Sequence, residues 1–318
     1  MDFNLQLFSR EDLDNLISKR TGEIKLGSTL TTKINDAKFV ILGVEESIGP
    51  KANFGKSGSE NGFDAFLSAF LNMQSNESLS GEKITVLGKI ISTSDFEGDN
   101  LREGVEKLDE FILSILNEYI KEGQIPILIG GGHNNAYPLI KFSAQRFNNK
   151  INVINLDAHA DYRPIEGRHS GNSFSYGFKD GFINKYYVLG LHQRYNSQQI
   201  LDDLRRDKHF FTFHEDYLFG SRNYLDEFRS LRLKLSDNNN FLGIELDLDT
   251  IERMPSSALS PVGISIFTAR QYLYCLGKSK NVAYLHLPEG APQNKHEDII
   301  VGKTLAYLVS DFVISYGI

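Results

Sequence analysis

Ile151-Asn152-Val153-Ile154-Asn155-Leu156-Asp157-Ala158-His159-Ala160-Asp161 is the stretch around which the chain is arranged. Its first half is an apolar run of the kind a buried strand makes, and its second half sits where that strand would pass into a loop. Side chains alternate faces along a strand, so Asp157, His159 and Asp161 point the same way if strand geometry continues. Two carboxylates and an imidazole on one face suit a divalent cation, because unpaired buried charges cost roughly several kcal/mol each. A polar strand end capped by solvent is the plainer reading of D-x-H-x-D alone, and the rest of the chain has to choose between the two.

Outward from this stretch, strand-like and helix-like segments alternate. Strand-like runs cover residues 38–44, 83–91, 125–129, 151–156, 186–191, 210–213, 241–248 and 282–287. Helix-like segments cover 63–73, 101–119, 134–146, 197–206, 224–235, 267–276 and 299–313. The clearest is 101–119, where Leu101, Val105, Leu108, Ile112, Ile115, Leu116 and Tyr119 recur at three and four. This alternation predicts an α/β fold with a mostly parallel sheet of about eight strands, covered on both faces. Residues 1–36 are polar and mixed, with Phe3, Leu5 and Phe8 as anchors, and read as a peripheral N-terminal segment. Residues 37–318 show no linker and read as one catalytic domain. Long polar loops are expected at 45–62 and 162–177.

A chain of 318 residues, 41% hydrophobic, can bury a large core. Its net charge of -7, without a basic run, gives no electrostatic support to nucleic-acid or anionic-membrane binding. No signal peptide is visible, and the apolar runs read as too short to span a bilayer. Cys275, the single cysteine, permits no internal disulfide and reads as a buried core thiol. A cytoplasmic location is the expectation.

In such a sheet, ligands sit outside the carboxyl ends of the strands, so chemical residues should follow the apolar runs. They do. His133 follows run 125–129 through Gly130-Gly131-Gly132. A glycine turn lets backbone approach a ligand closely, and it can also cradle phosphate, but no G-x-G-x-x-G or G-K-[ST] pattern is present. An acidic pair in Glu245-Leu246-Asp247-Leu248-Asp249 follows the strand 241–246, and alternation places Asp247 and Asp249 on one face. Glu245 shares that face and reads as support behind the site. Together His133, Asp157, His159, Asp161, Asp247 and Asp249 are enough for two divalent ions. Oxygen ligands mixed with imidazole suit manganese, with iron, cobalt, nickel and zinc also open. Two ions about 3.5 Å apart can lower the pKa of a shared water.

These residues resemble the ureohydrolases (arginase, agmatinase, formimidoylglutamase and guanidinobutyrase), which carry G-G-x-H, D-A-H-x-D and D-x-D in this order. The likeness covers roughly residues 38–316, with Pro255-Ser256-Ser257-Ala258 downstream as in the family pattern. It implies an arginase-like three-layer α/β/α sandwich with two Mn2+ per chain. By that likeness Asp157 and Asp247 bridge the ions, His133 and Asp161 complete one shell, and His159 and Asp249 the other. Glu289 matches the family glutamate that holds an amidine or guanidinium. Homotrimers or homohexamers are also implied. Three positions depart from the pattern: Gly132, Asn134 and Glu245 stand where the family has aspartate, serine and serine.

In the loop Gly167-Arg168-His169-Ser170-Gly171-Asn172-Ser173-Phe174, Phe174 replaces a histidine that arginases use, as in formimidoylglutamases. The resemblance therefore favours hydrolysis of N-formimino-L-glutamate to L-glutamate and formamide over release of urea from arginine, agmatine or guanidinobutyrate. Arg168, Ser170 and Asn172 are expected to bind substrate, Arg168 by clamping a carboxylate. Asp161 is expected to accept the attacking water's proton, Glu289 to orient the cationic end, and His169 to carry a proton to the leaving amine. A one-zinc deacetylase would have fewer acidic ligands. A catalytically silent metal-bound scaffold would have lost some, and none is missing.

Overall fold

The computed structural model describes residues 2–236 and 240–317; Met1, and residues 237–239 and 318 of the expected catalytic span, lie outside the described residues. One sheet of nine strands organises the chain. The strands are β1 (Phe3–Leu7), β2 (Phe39–Glu45), β3 (Ile84–Ser92), β4 (Ile125–Ile129), β5 (Ile151–Leu156), β6 (Ile183–Leu191), β7 (Phe210–Phe213), β8 (Leu242–Leu246) and β9 (Val282–Leu287). Their order is β1-β3-β2-β4-β9-β8-β5-β6-β7, with every neighbouring pair parallel except β1 and β3.

The count exceeds the expected eight because the N-terminal segment supplies an antiparallel edge strand. Only Phe3 of β1 is buried, stacked on Phe96 with ring centroids 5.6 Å apart. One inward residue leaves no period for sequence reading to detect.

The central strands β4, β5, β8 and β9 are buried at every residue, as unbroken apolar runs require. Alternate side chains divide between two cores. Phe39, Ile41, Ile125 and Ile127 meet helices Gly62–Leu71, Ile266–Leu276 and Lys295–Tyr316 on one face. Val40, Leu42, Leu128 and Val153 meet Leu101–Tyr119 and Ala136–Arg146 on the other. The result is a three-layer α/β/α sandwich.

Helix Lys295–Tyr316 corrects the expectation that no apolar stretch is long enough to span a bilayer. Over an 18-residue window its mean hydropathy is 1.4, which suffices by length and composition. Here 61% of that window is buried inside the protein, because the helix packs between Gly62–Leu71 and Ile266–Leu276. Cys275 is buried, as read. The expected loop 45–62 holds a short helix, Ile48–Ala52, and a 3-10 turn, Ser59–Asn61. Loop 162–177 holds the 3-10 turn Ser170–Asn172 and the start of helix Ser173–Lys179.

Candidate metal centre

Four adjacent strands at the middle of the sheet, β4, β9, β8 and β5, point their carboxyl ends at one place. Beyond β4 the chain turns through Gly130 and Gly131, whose φ values of +85° and +66° favour glycine. A Cβ on Gly130 would lie 2.9 Å from the Val44 carbonyl oxygen. The turn is held by the buried Glu46 carboxylate. It accepts from the backbone N–H groups of Gly132 (2.8 Å), Ile48 (2.6 Å) and Gly49 (3.1 Å), and from the side chains of Asn134 (3.2 Å) and Asn135 (2.9 Å). The unusual Asn134 is therefore part of this brace, and it lies beside the ligands rather than among them.

Strand alternation does not carry the ligands, contrary to expectation. β5 ends at Leu156 and β8 at Leu246, before any of the aspartates that follow. Local hydrogen bonds replace the pleat. Asp157 Oδ1 accepts from the His159 N–H at 2.7 Å, and Asp161 takes a left-handed φ of 45°. Asp247 caps the 3-10 turn Leu248–Thr250, its Oδ1 accepting from the Asp249 N–H at 2.8 Å. Short side chains that bond their own backbone two residues on make these turns.

All six expected ligands converge in two groups that share Asp157. In the first, His133 Nδ1 lies 3.3 Å from Asp157 Oδ2, 2.9 Å from Asp161 Oδ2 and 2.9 Å from Asp247 Oδ2. In the second, His159 Nδ1 lies 3.8 Å from Asp157 Oδ1 and 3.2 Å from Asp249 Oδ2. Asp157 thus turns one oxygen to each group. Asp247, expected to bridge as well, gives Oδ2 to the first group and turns Oδ1 to the Asp249 N–H.

The donor set fits two divalent cations. Three carboxylates crowd one buried imidazole nitrogen, and the buried Asp249 Oδ1 has no hydrogen-bond partner among the described residues. Burial, then repulsion from Asp249 and Asp157, pushes the Asp247 carboxyl well above the usual carboxylate range. Cations would remove that repulsion and occupy the orphaned oxygen.

Behind the first group, Glu245 Oε2 lies 3.4 Å from His133 Nε2 and 2.6 Å from His286 Nδ1. Burial raises the Glu245 carboxyl, but the neighbouring His286 and His133 outweigh it and hold the group below its ordinary value.

His159, Asp161, Asp247 and Asp249 open onto a cavity of about 200 Å3, lined also by Pro50, Asn53, Phe54, Arg163, Ser170, Tyr195, Ser257 and Glu289. A larger open groove of about 1690 Å3 includes none of the six ligands, so its size does not mark the chemistry. Glu289 sits at the floor of the site, with Oε1 accepting from the His133 N–H at 2.8 Å and Oε2 from the Ser257 hydroxyl. Burial pushes its carboxyl up to about 8, so a cationic guest would be needed to keep it charged.

The structure does not bring every expected residue here. Arg168 is 2% exposed, and its guanidinium is already committed. It donates to Asp109 (2.8 Å), Asn172 Oδ1 (2.7 Å) and the Asn134 carbonyl (2.9 Å), between the rings of Tyr137 and Tyr176. It braces the loop and has no free donor pair for a substrate. Asn172 is used up in the same brace and donates to the Gly167 carbonyl. His169 is fully buried outside the cavity; Nδ1 accepts from the Gly171 N–H and Nε2 faces Glu166, both at 3.1 Å. It has no path to a leaving amine. Of the three expected substrate residues, Ser170 alone lines the cavity. Phe174 packs edge-on against His133 at 5.2 Å and takes no part in the cavity.

Arg163 was missed. Among the described residues it is the only lysine or arginine lining the cavity. A Cβ on Gly171 would lie 3.0 Å from Arg163 Cδ and 3.2 Å from its Nε, so the glycine of the Ser170-Gly171-Asn172 turn leaves room for this side chain. The available signal was an arginine two residues beyond Asp161.

Burial holds His169 and His209 at about 4, below the ordinary 6.5. Between these values the unfolded chain binds protons that the folded chain does not, so their contribution is complete above pH 6.5 and is lost as pH falls. Each should cost about 2 kcal/mol on going from pH 7 to pH 5. Denaturant titration of metal-free protein checks this: the stability difference between wild type and His209→Gln should shrink by that amount over the interval. A constant difference would contradict it.

Comparison with known proteins agrees with this geometry. Residues 37–315 match the arginase family. The chain is similar to a formimidoylglutamase of Macrococcus caseolyticus, 32% identical over 163 residues, which are 51% of this chain and 49% of that protein, so the match spans about half of that relative. It is also similar to a formimidoylglutamase of Chromobacterium violaceum, 28% identical over 264 residues, 80% of each protein. The crystal structure of Trypanosoma cruzi formiminoglutamase with Mn2+ shares the fold, with a TM-score of 0.74 and 22% identity over 92% of this chain and 98% of that one.

Proposed function

This chain belongs to the arginase family, and on that premise we propose that its site hydrolyses N-formimino-L-glutamate, adding water across the amidine C–N bond to release L-glutamate and formamide. The observation that carries the reading is the convergence of six candidate ligands beside a buried glutamate, with Arg163 lining the same cavity. Two manganese ions per chain and a cytoplasmic location belong to the same reading, as do the trimers or hexamers implied by the ureohydrolase resemblance.

When bound, the ions supply a water whose lowered pKa makes it a nucleophile near neutral pH. Asp161 borders the cavity, where its carboxylate would accept a proton from the attacking water and return it to the leaving nitrogen. Glu289, fixed by the His133 N–H and the Ser257 hydroxyl, pairs with the planar cationic amidine and orients its carbon. Arg163 takes a carboxylate at the opposite end, the role expected of Arg168.

A manganese-loaded assay of N-formimino-L-glutamate, arginine, agmatine and guanidinobutyrate side by side tests the reading. Turnover of the first is expected to dominate, and silence on all four would end the proposal. Arg163→Ala should raise KM for N-formimino-L-glutamate about 10–100-fold, the worth of one charge-assisted contact, with kcat changed only a few-fold. An unchanged KM would free Arg163 of this role.

A further inference from the structure

The buried pair Glu245–His286 has no part in the chemistry above, yet it stands directly behind a ligand. Strands β8 and β9 set Glu245 and His286 opposite each other in register, and both side chains are 0% exposed. Their carboxylate–imidazole contact is 2.6 Å. From the same oxygen, Glu245 reaches His133 Nε2 at 3.4 Å, a charge contact longer than a made hydrogen bond. The opposite ring nitrogen, Nδ1, faces Asp157, Asp161 and Asp247. One imidazole is therefore held between acceptors on both sides.

We propose that Glu245, itself fixed by His286, is a positioning residue that keeps the His133 ring proton on Nε2 and so leaves the Nδ1 lone pair free for a cation. The ring cannot ligate through Nδ1 while donating from it. A carboxylate at the far nitrogen selects the ligating tautomer and raises the ring's basicity, and removing such partners elsewhere costs about 10–100-fold in metal affinity. The effect falls on one side of the centre, because among the described residues Glu245 groups with His133 and His286, and not with Asp157, His159 and Asp249. A serine at this position, as in the ureohydrolase pattern, would present no negative charge to His133.

This inference rests on the metal-centre reading, and the experiment separates the two. Mn2+ is titrated into chelator-stripped full-length wild type and Glu245→Gln, with binding followed by the EPR signal of free Mn2+. Wild type should take up two ions. Glu245→Gln should hold one with affinity within about 3-fold of wild type and lose the other by about 10–100-fold. Ring 15N shifts of Zn2+-loaded protein should place the His133 proton on Nε2 in wild type and show mixed tautomers in the variant. His286→Asn, which keeps a donor to Glu245, should stay within about 3-fold of wild type at both sites. Were Glu245→Gln to misfold, His286→Leu takes its place, with weakening of the same single ion expected. Two wild-type affinities and an unmixed tautomer in the variant would overturn the positioning role. No uptake by wild type would instead overturn the metal centre itself.

Discussion

Asp157→Asn is expected to abolish binding of both ions and to lower kcat/KM by at least ~10^3-fold, about 4 kcal/mol of barrier. Among the described residues no other side chain belongs to both of these groups, and Asp157 turns Oδ2 to His133 and Oδ1 towards His159. The variant should separate binding from stability. Oδ2 accepts from the Asn155 amide at 2.9 Å and Oδ1 from the His159 N–H at 2.7 Å, and an asparagine keeps one of these acceptors while shedding the charge. Burial and the like charges around Asp247 show that the metal-free cluster repels itself. Chelator-treated Asp157→Asn should therefore melt no lower than chelator-treated wild type. Wild type should gain about 4 kcal/mol per bound ion, about 8 kcal/mol for two, at a thousand-fold excess of Mn2+ over Kd, and the variant nothing. Thermal unfolding with and without Mn2+ measures both. A metal-induced shift that survives in the variant would mean the centre is not built on Asp157.

Arg168→Met should destabilise the protein by about 3–5 kcal/mol, because it strands the buried Asp109 carboxylate. Asp109 is 4% exposed, and burial pushes its carboxyl up to about 6 even against the pull of Arg168, so the pair is ionised at neutral pH. The double variant Asp109→Leu/Arg168→Met removes both charges and should recover most of the loss. Urea titration of the three proteins measures this. A substrate clamp would behave otherwise: KM would rise while stability stayed unchanged, and that result would restore the role that sequence reading gave to Arg168.

The contrast between Arg163 and Arg168 shows where sequence stops informing. Both flank the Asp161 loop, and both are arginines near a motif. Asp109 claims one of them across 59 residues of chain, and no local pattern records that pairing. Gly171 makes room for the other. The six residues that converge were legible because metal chemistry restricts residue type so strongly that three short motifs suffice to propose them. The route by which they converge was not. Strand alternation picked out the aspartates that converge, but the backbone had already left the strand, and Asp161 with its φ of 45° is placed by a turn. The sheet was legible wherever both faces are buried, and β1, with one buried residue, was not. His169 looked like a proton carrier because its residue type permits it, whereas its burial and its tie to the Gly171 N–H appear only in three dimensions.

The strand order carries a consequence for how the molecule is made. β4 and β5 follow each other in the chain but are not neighbours; β9 and β8 stand between them. A ribosome that has not yet reached residue 242 has made the strands of β1-β3-β2-β4 and of β5-β6-β7 but not the two that join them, so β4 and β5 lack their inner neighbours. Open edges of that kind invite pairing with foreign chains. The last two strands enter as a keystone, and the same act that seals the seam delivers Asp247, Asp249 and Glu289 to His133 and Asp157. Neither the sheet nor the centre can therefore be complete until the chain has been made as far as Glu289.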